Sequence, residues 1–217
     1  MWYYIVFVVE IKNDNIKAIK NLIKHTYMTS ELIGIYLRQF HDISEESLQY
    51  LATQFEEVKY PPKHIYLVEG EPCRKGGIIH KGLVRNFFKR NGRECTSWFD
   101  AEGSFAVSSH SFFTQSPHSE SIEFLEETTL FEITYEKVER AKMLYPDVDI
   151  LLEQILLYGF YTVEERTRNL MADDAVERYN MFFKTYPNLI NRIPVKYIAS
   201  FLGVKPETLS RIRANNY

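Results

Sequence analysis

The sequence has few cysteines. Cys73 and Cys95 are its two cysteines, and no C-x-x-C pair occurs in the 217 residues. Two thiols cannot supply an iron–sulfur cluster that needs four protein thiolates, and a structural zinc site has little support. We therefore expect no metal and no cofactor. One disulfide remains an alternative, although two reduced thiols are the usual state in a cytoplasmic protein of this length.

A long apolar run is also missing. Residues 2–9 (WYYIVFVV) are apolar, but Glu10 interrupts the run far short of the roughly 20 residues that cross a bilayer. No basic segment precedes the run and no small-residue cleavage site follows it, so we expect neither a membrane span nor a signal peptide. Met28 precedes a good helix start. We interpret Met28 as the start and residues 1–27 as an N-terminal extension from a misassigned start or a poorly ordered tail; a β-strand plus an amphipathic helix is the alternative.

No charge of one sign dominates the whole chain. Lys+Arg 26 against Asp+Glu 29 gives a net charge of -3, which excludes a uniformly basic protein. The distribution is uneven, because residues 188–217 carry five basic and one acidic residue, whereas the rest carries 21 basic and 28 acidic residues. A basic tail on an acidic domain is typical of DNA binding. The sequence has no nucleophile elbow, P-loop or zincin motif, so we expect no enzyme.

The order of periodic segments predicts an α+β fold. Residues 30–58 show helical spacing, with a second helix starting at Ser44. Short β-rich runs follow, and Asn91-Gly92 between two of them predicts a type I′ hairpin. We expect an antiparallel, jelly-roll-like β-roll of about 75 residues. The predicted strands are His64–Val68, Gly77–His80, Leu83–Lys89, Glu94–Phe99, Ser121–Phe124 and Leu130–Ile133.

Helical spacing returns after the β-rich region. A short helix is predicted at 135–144 and a long one at 146–171, whose apolar surface is too broad for one neighbour. We expect one face to pack on the β-roll and the other on the same helix of a second subunit. A central helix buried within its own chain is the alternative. Residues 172–217 are again helical, with interruptions at Pro187 and Pro194.

The segment 195–217 has the pattern of a helix-turn-helix. Small Ala199 allows two helices to cross closely, and Gly203, four residues later, allows the positive φ of a tight turn. Pro206 suits the first turn of the second helix. On that helix Arg211 can bond guanine and Glu207 can accept from cytosine. The predicted DNA-binding residues are Lys205, Glu207, Thr208, Ser210, Arg211 and Arg213, with phosphates assigned to Lys205, Thr208 and Arg213.

Residues 202–212 (LGVKPETLSRI) make the chain resemble the Crp/Fnr transcription regulators over about residues 30–217. The resemblance implies a cyclic-nucleotide-binding-like β-roll, a long dimerisation helix and a C-terminal helix-turn-helix. It also implies that Glu207 and Arg211 read base edges and that Thr208 supports a phosphate contact. The family often has another arginine where this chain has Pro206, so one base contact is missing. The chain ends at Tyr217, and we expect it to lack the usual two-stranded wing.

The sensor side departs further from the family pattern. Val107-Ser108 stands where the family's Gly-Glu binds ribose, and His118 stands where its arginine neutralises the cyclic phosphate. Losing that charge-assisted contact costs affinity, so we expect cyclic AMP not to bind usefully. Two histidines without a third ligand do not indicate a metal. The predicted degenerate pocket includes Phe105, Val107, Ser108, His118 and Ser119, with Ser109, His110 and Phe112 beside them.

These observations predict a cytoplasmic, homodimeric transcription regulator that binds double-stranded DNA. The expected divisions are an extension at 1–27, a β-roll at 28–145, a dimerisation helix at 146–171 and a DNA-binding domain at 172–217. An unidentified small-molecule effector is a further expected partner, and a membrane is not. The alternative is a β-roll ligand-binding or protein-interaction module whose helix-turn-helix no longer binds DNA.

Overall fold

The computed structural model describes residues 29–215, so the interpretation of residues 1–27 and the end at Tyr217 lie outside the described residues. Helix α1 covers residues 29–38 and α2 spans Glu45–Gln54. Ser44 caps α2, since its hydroxyl accepts a hydrogen bond from the Ser47 amide, and acidic residues in the first turn suit the helix dipole. The helical region therefore ends at Gln54, four residues before the predicted end at residue 58.

The segment after α2 is a strand rather than helix. Strand β1 (Glu56–Tyr60) pairs antiparallel with β8 (Thr128–Thr134). Val58 and Tyr60 are half-buried while Glu57 and Lys59 are exposed, which is the period of two expected of a strand. The helical prediction for residues 55–58 was wrong because tertiary pairing with β8 outweighed local helical spacing.

Two four-stranded antiparallel sheets form the β-roll. One has the order β1-β8-β3-β6 and the other β2-β7-β4-β5. The hairpin between β4 and β5 turns at Asn91 (φ 52°) and Gly92 (φ 73°), as the type I′ prediction requires. The remaining bounds are β2 Ile65–Leu67, β3 Lys75–Lys81, β4 Leu83–Arg90, β5 Arg93–Ala101, β6 Phe105–Ala106, α3 Ser109–Thr114 and β7 Ser121–Phe124.

The main core lies between the two sheets and continues under the flanking helices. Ile78, Ile122 and Leu130 are fully buried there, as are Ile33 of α1 and Leu151 of the long helix. This continuity fixes the helices on the roll because each contributes apolar area that would otherwise face water.

Helix α4 (Tyr135–Leu144) leads into the long helix α5 (Pro146–Ala172). Asp147 ties the start of α5 to α2, because its carboxylate accepts from the Ser44 amide at 2.8 Å and the Ser47 hydroxyl at 2.6 Å. Within residues 29–215, no helix combines the length and the apolar character that crossing a bilayer requires.

Three short helices complete the fold: α6 (Ala175–Thr185), α7 (Val195–Leu202) and α8 (Pro206–Asn215). A capping box starts α6, with Asp174 accepting from the Glu177 amide and Glu177 accepting from the Asp174 amide. The three helices share a second core that includes Leu83 and Phe99 from the β-roll. The predicted α+β fold, with a β-roll, a long helix and a small helical domain, is thus confirmed.

Candidate functional site

Helices α7 and α8 form the helix-turn-helix corner. Gly203 ends α7 with φ 69°, and the Val204 amide donates to the Ala199 carbonyl at 3.0 Å, which closes the turn. Ala199 is completely buried, so no larger side chain separates the helices at that point. The corner therefore has the backbone geometry that the residues at 199 and 203 predict.

The outer face of α8 is open to solvent. Glu207, Ser210 and Arg211 are exposed, and Thr208 and Arg213 are half-buried. Lys205, also exposed, precedes the helix and accepts hydrogen bonds from the Thr208 and Leu209 amides through its carbonyl oxygen. Apolar Leu209 and Ile212 point into the core instead. The six sequence-predicted contact residues are thus exposed or half-buried, and we call them together the α8 face.

The charged side chains of the α8 face are not committed to other contacts. Lys205, Glu207, Arg211 and Arg213 form no ion pair with any described residue. Ion pairs stabilise most surface lysines and arginines only slightly, so the lack of ion pairs at these side chains does not by itself indicate a binding site. Combined with the corner geometry, it means that a ligand need not break any protein contact to reach them.

Helix α7 docks on β5 of the β-roll. The Thr96 amide donates to the Ser200 hydroxyl at 2.9 Å, which joins the two elements directly. Phe201 packs against Trp98 and Phe99, with ring centroids 6.2 and 5.3 Å apart. Because α7 uses this surface for docking, the α8 face is left as the free side of the helical domain.

Two arginines strengthen the docking. Arg192 donates to both oxygens of Glu102 at 2.8 and 3.0 Å, to Glu126 at 2.6 Å and to the Gly82 carbonyl at 3.1 Å. We call this set the Arg192 clamp. Burial would raise the pKa of Glu102, but hydrogen bonds from Arg192 and the Gly82 amide overcome that effect and lower the pKa to about 2.

The second arginine, Arg85, is almost fully buried on β4. Its guanidinium pairs with Glu94 at 2.7 Å and Glu123 at 2.8 Å and lies 3.8 Å from the centroid of the Tyr197 ring of α7. A buried arginine needs such partners, because an unpaired charge would destabilise the folded state strongly. Neither arginine could be predicted as a docking residue, because nothing in the local spacing links residue 85 or 192 to a distant carboxylate.

A cavity of about 1400 Å³ lies between the β-roll, α5 and the helical domain. Four of the five sequence-predicted pocket residues line it: Phe105, Val107, Ser108 and His118. The fifth, Ser119, is exposed and is not part of the lining. The neighbouring Ser109, His110 and Phe112 also line the cavity.

The polar part of this cavity is acidic. Asp100 of β5 accepts from the Ser104 hydroxyl at 2.6 Å, and Glu120 accepts from the Ser97 hydroxyl at 3.1 Å. Burial raises the pKa of Asp100 to about 7; the hydrogen bond from Ser104 opposes that rise and the charge of Glu120 adds to it. A carboxyl group so placed favours a neutral or cationic neighbour over an anion.

Metal ligands are not grouped in the described part of the chain. His110 and His118 have ring centroids 5.1 Å apart, but residues 29–215 contain no group of three His, Cys, Asp or Glu side chains that could hold an ion. Both cysteines are free thiols, Cys73 buried and Cys95 half-buried, so the alternative of a disulfide between them is wrong.

The sequence matches no protein-family model, and no curated protein is significantly similar to it. Solved structures are similar in fold. FixK2 from Bradyrhizobium japonicum matches at TM-score 0.67 and 19% identity, over 74% of this chain and 83% of that one. CLP from Xanthomonas campestris, described as a c-di-GMP-responsive global regulator, matches at TM-score 0.64 and 16% identity, over 79% and 91%. A putative Crp/Fnr transcriptional regulator from Eubacterium rectale matches at 0.65 and 15%, over 83% and 86%.

The structure is thus that of a cyclic-nucleotide-binding-like β-roll joined through a long helix to a small helical domain. The chain has the fold of the Crp/Fnr transcription regulators.

Proposed function

We propose that this protein is a sequence-specific, DNA-binding transcription regulator and not an enzyme. The α8 face supports this proposal most directly, because it presents Glu207 and Arg211 beside Lys205 and Arg213 on a correctly built helix-turn-helix. Arg211 would bond guanine O6 and N7 in the major groove, and Thr208, Lys205 and Arg213 would contact phosphates. Residues 172–217 would form the DNA-binding domain and residues 28–145 the sensor.

The active form is a homodimer joined through α5. One face of α5 is buried by Val148 and Leu151, whereas a second apolar stripe stays exposed. That stripe repeats at 4-3-4-3 spacing, which is the pattern of a helix that pairs with another copy of itself. Its residues are Leu156, Phe160, Val163, Thr167 and Leu170. A two-fold dimer would place two α8 faces on half-sites one helical turn apart.

Cyclic AMP is not the effector. The arginine and the glutamate that the family pattern places around a cyclic nucleotide are absent from the matching positions. Asp100 and Glu120 line the cavity instead and would repel a phosphate. Calorimetric titration with cyclic AMP is expected to show no binding at micromolar concentration, and micromolar binding would refute this part of the proposal.

The DNA proposal is tested by gel shift with the protein and the DNA upstream of its own gene. Specific binding should be tighter than binding to a scrambled fragment of equal length. It should also weaken steeply between 50 and 200 mM salt as phosphate counterions are released. Arg211→Ala should lose about 1–3 kcal/mol of sequence-specific binding and keep most of the nonspecific binding.

Lys184→Ala is the matched control, because Lys184 is an exposed cation of the same domain that lies on α6. It should bind both fragments like the unchanged protein. Absence of sequence preference in the unchanged protein, with the chain folded, would favour a β-roll ligand-binding or interaction module. Equal losses in the two variants would refute Arg211 as a base reader.

A further inference from the structure

Two carboxylates, those of Asp100 and Glu120, line the cavity between the β-roll, α5 and the helical domain. Asp100 and Glu120 form no ion pair with a described residue, and their side-chain partners are the neutral groups Ser104, Trp98 and Ser97. Burial is the main cause of the raised pKa of Asp100, and the charge of Glu120 adds to it. Two like charges that face the same partly buried cavity destabilise the folded protein unless a proton or a cation compensates them.

A fully buried hydroxyl group also belongs to the lining of the cavity. Ser108 is 1% exposed, lines the cavity, and its Oγ has no hydrogen-bond partner among the described residues. Ser108 and Glu120 both belong to the lining of the cavity. The Nδ1 atom of His118, two residues before Glu120, is likewise buried without a described partner. Buried polar atoms normally have partners, so this set points to a polar ligand.

The cations that line the cavity are already engaged elsewhere. Arg192 is held in the Arg192 clamp by two carboxylates that do not include Asp100 or Glu120. Arg166 of α5 donates to the Phe201 carbonyl at 2.8 Å, and its guanidinium lies 3.5 Å from the Phe201 ring centroid. Neither can neutralise the carboxylates without giving up these contacts.

Aromatic groups line another part of the same cavity. The Phe40 ring contacts Phe105 and Tyr158, with centroids 5.7 and 5.4 Å apart. An apolar wall next to a charged end suits a ligand with one hydrocarbon part and one polar head.

We propose that this cavity binds a small organic cation, a primary ammonium or guanidinium compound with an apolar or aromatic body. Its charged head donates hydrogen bonds to Asp100 and Glu120, and a hydrogen-bond acceptor or hydroxyl on it meets Ser108 and His118. The ligand class is therefore opposite in charge to a cyclic nucleotide. Effector control of DNA binding rests on the proposed function, whereas the binding itself does not.

Binding should depend on pH in a defined direction. The cation binds the ionised form of Asp100, whose pKa lies at about 7 in the folded protein. Ionised Asp100 is about ten times scarcer at pH 6 than at pH 8, so the affinity should rise about tenfold between these values. Other acidic, basic or aromatic side chains with an ionisable group line the same cavity: Glu102, Glu120, His110, His118, Tyr186, Arg166 and Arg192. A variant at Asp100 must therefore separate its effect from that of these groups.

Calorimetry on the full chain without DNA tests the proposal. The probes are 2-phenylethylamine and agmatine, and the matched neutral and anionic controls are 2-phenylethanol and phenylacetate. At least one amine should bind at one site per chain, at least tenfold more tightly than the alcohol or the acid. Asp100→Asn should reduce amine affinity at least tenfold and remove most of its pH dependence.

Asp100→Asn should also unfold at a higher temperature than the unchanged chain at pH 8 without ligand, because it removes an unpaired charge. This measurement shows that the variant is folded. Ser119→Ala is the control substitution, since Ser119 is exposed outside the cavity. Absence of amine binding, equal binding of the alcohol, or full amine affinity in Asp100→Asn would overturn the proposal. None of these results depends on whether the α8 face binds DNA.

Discussion

Replacing Arg192 with alanine should loosen the helical domain from the β-roll. Arg192 reaches Glu102, Glu126 and the Gly82 carbonyl through five hydrogen bonds, all of which cross between the two regions. The substitution removes these bonds and leaves two carboxylates near each other without a cation.

The expected loss of unfolding free energy follows from the solvent exposure of Arg192 and its two glutamate partners. Arg192 is 28% exposed and the two glutamates 39% and 36%, so water screens much of the charge interaction. Exposed ion pairs contribute about 0–1 kcal/mol each, whereas bidentate charge-assisted bonds contribute more. We expect Arg192→Ala to lower the free energy of unfolding by about 2 kcal/mol at pH 7. Arg192→Lys keeps the charge without the bidentate geometry and should lose about half as much.

Acid pH should remove the difference in unfolding free energy between the unchanged protein and Arg192→Ala. The pKa of Glu102 lies at about 2 in the folded protein, against an ordinary value of 4.5. Because the folded pKa is depressed, the contribution is complete above about pH 4.5 and disappears as the pH falls toward 2. The two unfolding free energies should therefore converge between pH 4.5 and pH 2.

Urea unfolding followed by tryptophan fluorescence is the suitable assay. Trp98 lies at the docking surface, in contact with Phe201, and Trp2→Phe would make it the single tryptophan. Undocking should shift its emission before the β-roll unfolds if the clamp controls docking. A loss below 0.5 kcal/mol at pH 7, or a difference that stays constant down to pH 2, would refute the reasoning.

Three further perturbations have defined outcomes. Phe160→Glu should make the protein monomeric in sedimentation at micromolar concentration, because a two-fold interface gains two buried charges; an unchanged dimer would exclude the α5 stripe as the interface. Gly203→Ala should lower the free energy of unfolding by about 1–2 kcal/mol through the positive φ alone, since open space surrounds the added Cβ, and Gly203→Asn should cost less. Arg85→Ala should cost about 3–5 kcal/mol in urea unfolding by leaving buried Glu123 unpaired, and a loss below 1 kcal/mol would contradict the role of this pair.

The sequence predicted the features that depend on neighbouring residues. The Asn91-Gly92 turn and the Gly203 corner need a positive φ, and glycine or asparagine at those positions predicts it. The β-roll was predicted from the regular spacing of short β-rich runs. By contrast, β1 was mistaken for helix, because its partner β8 lies some seventy residues away and contributes hydrogen bonds that no local pattern records.

The two candidate sites also differ in how far the sequence could predict them. The α8 face comes from one short segment, so the sequence could place Glu207 and Arg211 together. Asp100 and Glu120 come from separate elements, and their proximity depends on how β5 and the segment before β7 meet in the folded roll. A pair of acidic residues twenty positions apart gives no sign of this before folding.

The shared second core has a consequence for how this protein can be divided. Leu83 and Phe99 belong to the β-roll in sequence but pack among the residues of α6, α7 and α8. A fragment of residues 172–217 would have only 46 residues and would lose two of its own core side chains, at a size where a single core is already marginal. Exchanging residues 172–217 between proteins of this fold therefore requires that the β4–β5 hairpin be exchanged with them.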